Sequence, residues 1–174
     1  MRPLSAEEAR RLLQAVRGDR LEALYVLAVH TDWGKNLTLL ASMSLRGMGP
    51  CLAVEGSTTS EVFEAYLKNV LASSLRARQV VVVMDNLTAH KDERVRELIE
   101  DRGCKLLYLP PYSPDFNPIE EAFAKIKALL LGKGQARSRE ALIEAMGRAL
   151  EALTARDARS YFEHRGYRAL GQLL

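Results

Sequence analysis

The sequence predicts an α/β protein with a mixed sheet, and three observations predict it. The run Val80 to Met84 is continuously apolar and β-branched in type, as in a strand buried on both faces. Two apolar stretches flank Arg46-Gly47-Met48-Gly49, the pattern of a hairpin. Between and after these strands, apolar residues recur at helical spacing.

Helical signals open the chain. Ser5 followed by Glu8 is a capping box, Leu4 is placed to staple it, and Leu12, Leu13 and Val16 form one apolar face. Gly18 punctuates, and Leu21, Leu24, Tyr25 and Ala28 continue in a second short helix. Leu37, Leu39, Ala41, Met43 and Leu45 then alternate with Thr38, Leu40, Ser42 and Ser44, which predicts a strand with one buried face. Residues 46–49 supply the turn, and Pro50 to Glu55 the return strand. Gly56 to Ser60 ends that strand and caps a helix whose apolar side holds Phe63, Tyr66, Leu67, Val70 and Leu71. After the run at 80–84, a helix near residues 91–102 stops at Gly103, and Cys104 to Leu109 is the next strand. From Pro118 onward the chain reads helical through Ile119, Phe123, Ile126 and Leu130, then Leu142, Met146, Leu150 and Leu153.

Composition narrows the functional class. With 174 residues, 48% hydrophobic and 27% charged, the chain is sized for one domain, or one domain with an appendage. No apolar run is long enough to span a membrane, and the opening MRPLSAEEARR lacks the apolar segment of a secretory signal. Cys51 and Cys104 have no zinc-type spacing and read as buried thiols, so a cytoplasmic protein is expected. The net charge of +3 hides an asymmetry: residues 121–174 carry ten basic and six acidic side chains. That segment suits a polyanion partner, and equally a set of solvated helix faces.

Two stretches can carry chemistry. In VVVVMDNLTAH, residues 80–90, Asp85 follows the end of the buried strand, where open α/β sheets place ligands. It also suits a turn with Asn86 and Thr88. In LPPYSPDFNPIEEAFAKIK, residues 109–127, four of the six prolines fall within nine positions. Each fixes its own φ and restrains its neighbour, so the loop is stiff. It ends in Asn117-Pro118-Ile119-Glu120, with Asn as helix cap, Pro first and Glu third. Glu120 at that position either reaches back to cap the helix or is a rigidly delivered metal ligand.

DNLTAH followed by LPPYSPDFNPIE resembles the catalytic core of bacterial insertion-sequence transposases of the mariner-like group, the DDE superfamily endonucleases. The resemblance runs from about residue 33 to residue 167. It implies a ribonuclease H-like fold and Mg²⁺- or Mn²⁺-dependent cutting and joining of insertion-element DNA at the nucleoid. It assigns the second and third acidic metal ligands to Asp85 and Glu120, which have 34 residues between them. Asn86, His90, Tyr112, Asp115 and Asn117 then lie beside the site, His90 and Asp115 with alternative duties at a helix start and in ordering the loop. Lys125, Lys127 and Lys133 are the expected DNA contacts, and Trp33 and Tyr112 have the rings to stack on bases.

The family's first Asp, carried by its opening strand, has no counterpart here. Counting back from Trp33-Gly34-Lys35 lands in MRPLSAEEAR, which holds no Asp and reads as helix. Asp19 and Asp32 sit where a turn or cap is expected. Residues 3–31 instead resemble the start of a tyrosine recombinase catalytic domain, without that family's later arginine motifs. Tyr161, Tyr167 and His164 therefore read as packing and surface residues. The expected organisation is a helical leader over 1–32 and an incomplete transposase core over 33–174, its first strand missing and its tail basic and helical. Two functions follow: a DDE transposase, working as a homodimer or with a partner chain that supplies the missing strand, or an inactive remnant that binds DNA or a partner transposase.

Overall fold

The computed structural model describes residues 22–31, 37–75, 80–85, 93–111, 113–131 and 138–167. Five strands form one sheet: β1 (Glu22–Thr31), β2 (Leu37–Ser44), β3 (Gly47–Glu55), β4 (Val80–Met84) and β5 (Lys105–Tyr108). Their order across the sheet is β3-β2-β1-β4-β5. The first three strands are antiparallel neighbours, while β4 runs parallel to β1 and β5 parallel to β4. Among the described residues five helices flank them: α1 (Ser60–Asn69), α2 (Glu93–Glu100), α3 (Ile119–Leu131), α4 (Arg139–Glu151) and α5 (Ala155–His164).

β1 overturns two expectations. Residues 21–28 were expected to form a helix, and the opening strand to be missing; Glu22–Thr31 is instead the central strand of the sheet. The division expected at residue 32 therefore falls between two strands that pair with each other. The physical reason is competition between periods. Leu21, Leu24, Tyr25 and Ala28 fit a helical face, but Ala23 to Val29 is also an unbroken apolar run containing Tyr25, Val26 and Val29. Periodicity alone does not separate these readings. β2 and β4 each hydrogen-bond to this segment, and those two ladders decide it. The expected helix over Ser5 to Val16 lies outside the described residues.

The hairpin forms as expected, with its turn one step earlier. Ser44 pairs with Gly47, leaving Leu45 and Arg46 as a two-residue loop. β2 is also buried along its whole length rather than on one face. Its polar alternates are satisfied inside: the Thr38 hydroxyl donates to the Gly56 carbonyl, and the Ser42 hydroxyl to the Pro50 carbonyl. Thr59 caps α1 by accepting from the Val62 N–H, and α2 is followed by Gly103 at φ +69°.

The sheet thus lies between two helical layers. On one face Leu37, Leu39, Ala41, Met43, Val81 and Val83 pack against Ile119, Phe123 and Ile126 of α3 and against α4 and α5. On the other, Leu40, Val82, Met84 and Leu106 pack against Phe63, Tyr66 and Leu67 of α1 and Val95 and Ile99 of α2. Among the described residues no helix is long and apolar enough to cross a membrane.

Candidate active site

Asp85 is the first residue beyond β4 and is half-buried. Its Oδ1 is withdrawn from water. The Leu109 N–H donates to the Met84 carbonyl at 2.8 Å, fastening the exit of β5 beside Asp85. From there the proline-rich loop turns through a short 3-10 segment, Pro114–Phe116, and enters α3. Glu120 is the second residue of that helix, so a strand end and a helix start deliver the two carboxylates.

The site brings Asp85 and Glu120 into electrostatic contact. Burial pushes the Glu120 carboxyl above the ordinary range and the Asp85 charge pushes it further, while Lys127 and Arg165 pull it back. Glu120 is not spent on capping. The Asn117 N–H, which a capping box needs as its donor, goes instead to the Pro114 carbonyl at 2.9 Å. The Asn117 side chain was expected to cap α3, but its Oδ1 is buried and has no hydrogen-bond partner among the described residues.

This donor set suits a hard cation. Two carboxylates repel each other in a half-buried place, and the buried amide oxygen of Asn117, three residues before Glu120, meets no donor among the described residues. One hydrated Mg²⁺ or Mn²⁺, which takes one or two carboxylates and keeps several waters, fits in kind. In number the set is short: among the described residues no three His, Cys, Asp or Glu side chains gather in a metal-holding group. The β1–β4 ladder explains why. Val26 pairs with Met84, so the next step sets Leu27 beside Asp85, and Glu22, the one acid of β1, lies at the other end against Val80.

The remaining candidates separate. Lys127 is exposed on α3, and its charge reaches Glu120. Lys125, expected to contact DNA, is paired with Asp157 Oδ1 at 2.7 Å and ties α3 to α5. Asp115 is exposed and lies 3.4 Å from an Arg165 nitrogen. Asn86, His90, Tyr112 and Lys133, with Asp19, Asp32 and Trp33, lie outside the described residues. Sequence reasoning missed Glu121 and Arg165. The sequence held only half of the signal: Gly166 directly after a helical run marks a helix end that turns the chain back, but not what the returning chain meets.

A five-stranded mixed sheet in the order β3-β2-β1-β4-β5, flanked by helices on both faces, is a ribonuclease H-like fold. The chain belongs to the DDE superfamily endonuclease family, whose sequence pattern matches residues 3–143. That match takes in the segment that resembles a recombinase. The Tcb1 transposase of Caenorhabditis briggsae is 29% identical over 118 residues, 66% of this chain and 43% of that protein. The insertion element IS630 39 kDa protein of Shigella sonnei is 26% identical over 117 residues, 66% of this chain and 34% of that protein. This chain therefore spans less than half the length of either relative. In fold it is similar to the Mos1 transposase catalytic domain solved with raltegravir and Mn, with a TM-score of 0.75, 16% identity, and 95% of this chain and 94% of that one covered. The Mos1 mariner paired end complex with Mn gives a TM-score of 0.71, 15% identity, and 95% and 62% coverage.

Proposed function

We propose that this chain is the catalytic portion of a DDE transposase, which cuts and joins the DNA of an insertion element with Mg²⁺ or Mn²⁺ held by Asp85 and Glu120. The observation that carries the reading is the placement of these carboxylates, one at the half-buried end of β4 and one at the start of the helix packed on the same sheet, near enough for the Asp85 charge to raise the Glu120 carboxyl, an arrangement that favours a cation between them. When bound, such an ion supplies the charge that activates an oxygen nucleophile and stabilises the leaving oxygen of a phosphodiester. The chain's own residues do the rest. The proline-rich loop fixes Glu120, Asn117 offers a buried amide oxygen, and Lys127 stands on α3 to meet a phosphate, with Lys133 beyond it in sequence. The Tcb1 transposase among the relatives and the paired end complex among the similar structures support DNA as substrate. Work at the nucleoid follows from that substrate.

One observation favours a second reading. The one acid of β1, Glu22, pairs with Val80 at the far end of the ladder from Asp85, so the described residues offer two carboxylates, Asp85 and Glu120, where the family resemblance implies three. In this reading the chain binds DNA and cuts it only when another chain, whether a second copy or a partner transposase, completes the site; without one it is an inactive remnant.

Nicking of element-end DNA in Mn²⁺ tests both. The account predicts salt-sensitive DNA binding, weakened by reversing the charge of Lys127 and Lys133. It predicts background nicking by the chain alone and Asp85-dependent nicking on adding a chain that carries the missing carboxylate. Nicking that persists in Asp85→Ala overturns the first reading, and DNA binding unchanged between about 50 and 200 mM salt overturns both.

A further inference from the structure

The far end of α5 grips the loop that delivers Glu120. The helix closes in a reversal: the Gly166 N–H donates to the Glu163 carbonyl at 2.9 Å, and the Tyr167 N–H to the Phe162 carbonyl at 2.8 Å. Gly166 sits at φ +84°, a backbone that glycine adopts without strain. The Phe162 and Tyr167 rings meet edge-on at 5.8 Å, completing the apolar contact of this type of stop. The reversal sends Tyr167 back onto the proline-rich loop, where its hydroxyl donates to the Phe116 carbonyl. Arg165, at the turning point, reaches both sides of Glu120. Its Nε donates to Glu121 Oε1 at 2.6 Å, and its other arm lies 3.4 Å from Asp115 Oδ1. His164 Nδ1 meets the same Glu121 oxygen at 3.0 Å.

These contacts differ in worth. The Asp115 carboxylate is 91% exposed, so water screens that arm; Arg165 and Glu121 are 20% and 21% exposed, and their bond is partly shielded. The planar guanidinium can hold both carboxylates at one angle, which a lysine ammonium cannot. Contacts from α5 thus fall on residues 115, 116 and 121, on either side of Glu120, and link chain segments more than 40 residues apart. None of them touches Glu120 by a hydrogen bond; the Arg165 charge reaches it through space, and the contacts themselves bear on where that residue is held.

We propose that Arg165, backed by Tyr167, is a positioning residue: it clasps the proline-rich loop to the first turn of α3 and so holds Glu120 where it and Asp85 share one divalent ion. This rests on the metal reading of the site given above. The family motif then gains a division of labour. Glu121 meets α5 and anchors the segment, with Asp115 adding only a screened contact, while Glu120, between them, faces the site.

The test uses the full chain with Arg165→Ala, Arg165→Lys and Asp115→Asn. Amide hydrogen exchange reads the order of residues 113–121, and Mn²⁺ titration followed by EPR reads the site. Arg165→Ala is expected to speed exchange over 113–121 roughly tenfold, with α4 protected as before. It is expected to weaken Mn²⁺ binding about tenfold or more, the usual cost of losing a partner that orients a ligand. Arg165→Lys should recover part of both, and Asp115→Asn should change either only slightly. Unchanged exchange over 113–121 in Arg165→Ala overturns the proposal. Faster exchange with unaltered Mn²⁺ affinity overturns it too, since a merely structural tie behaves that way. If Arg165→Ala loses protection in α4 as well, Arg165→Lys decides by the same two readouts. If the unaltered chain binds no Mn²⁺, the metal reading fails, and the clasp stands or falls on the exchange of 113–121 alone.

Discussion

Glu120 is held in a place that disfavours its own charge. Burial and the Asp85 carboxylate together raise its pKa over that of the unfolded chain. A raised folded value means that the native state binds the proton more tightly. The group therefore supports folding at low pH, and that support is lost as pH rises through the folded value. At neutral pH without a divalent ion, Glu120→Gln should raise Tm, and the gain should fade as acid protonates the Glu120 carboxyl in both the folded and the unfolded chain. Differential scanning fluorimetry across pH checks this; a lower Tm at pH 7 contradicts it. Cys51 is perturbed for a different reason: burial lifts its thiol to about 11. It should react with iodoacetamide at pH 8 many times more slowly than an ordinary thiol, for which the thiolate is far more abundant.

At the element scale, α3 is fixed from two directions, by the loop that feeds it and by α5 beneath it. The N-terminus of α5 is a full capping box, in which Thr154 and Asp157 exchange bonds. Lys125 and these bonds hold the Asp157 carboxyl down to about 2. A depressed folded value contributes stability above the unfolded value, and that contribution is lost as pH falls from about 4 toward about 2. Asp157→Asn should therefore be less stable at pH 7 and should lack this part of the wild-type acid loss, as urea unfolding at several pH values will show. How much of each element was legible depended on what fixed it. Val80 to Met84 and the helix starting at Ile119 were readable because local pattern and tertiary burial agree there. β1 was not, because its apolar run satisfies two periods and only the hydrogen-bonding needs of β2 and β4 choose between them. Both faces of β2 are buried for a similar reason, since Thr38, Ser42 and Ser44 look solvent-facing until their internal acceptors and donors are known. Asp85 and Glu120 were legible from the strand end and the loop motif. Arg165 and Glu121 were not, because what joins them is a helix reversal more than 40 residues away. The corrected strand also yields a prediction of its own. Leu27→Asp places a carboxylate at the register position beside Asp85 and should tighten Mn²⁺ binding roughly tenfold, about 1.4 kcal/mol. Mn²⁺ binding no tighter in the folded variant speaks against that register as the route to a third ligand.

Across the whole molecule, the sheet separates two cores with different duties. The layer of α1 and α2 closes one face and contributes no residue to the candidate site. The layer of α3, α4 and α5 carries Glu120, Lys127 and the Arg165 contacts, and it covers the face on which β4 delivers Asp85. Carboxylates drawn from positions 85 and 120 thus approach each other because the parallel β4 ends, and the helix after β5 begins, at the same edge of the sheet. The central claim is that they form one cation site, and a double-mutant cycle on Mn²⁺ binding tests it most directly. EPR titration of the unaltered chain, Asp85→Asn, Glu120→Gln and the double variant gives four affinities. The account predicts that each single change weakens binding more than about tenfold and that the double change costs far less than the product of the singles, because one ion is lost only once. Singles that bind Mn²⁺ as the unaltered chain does, or losses that multiply as at two independent sites, contradict it.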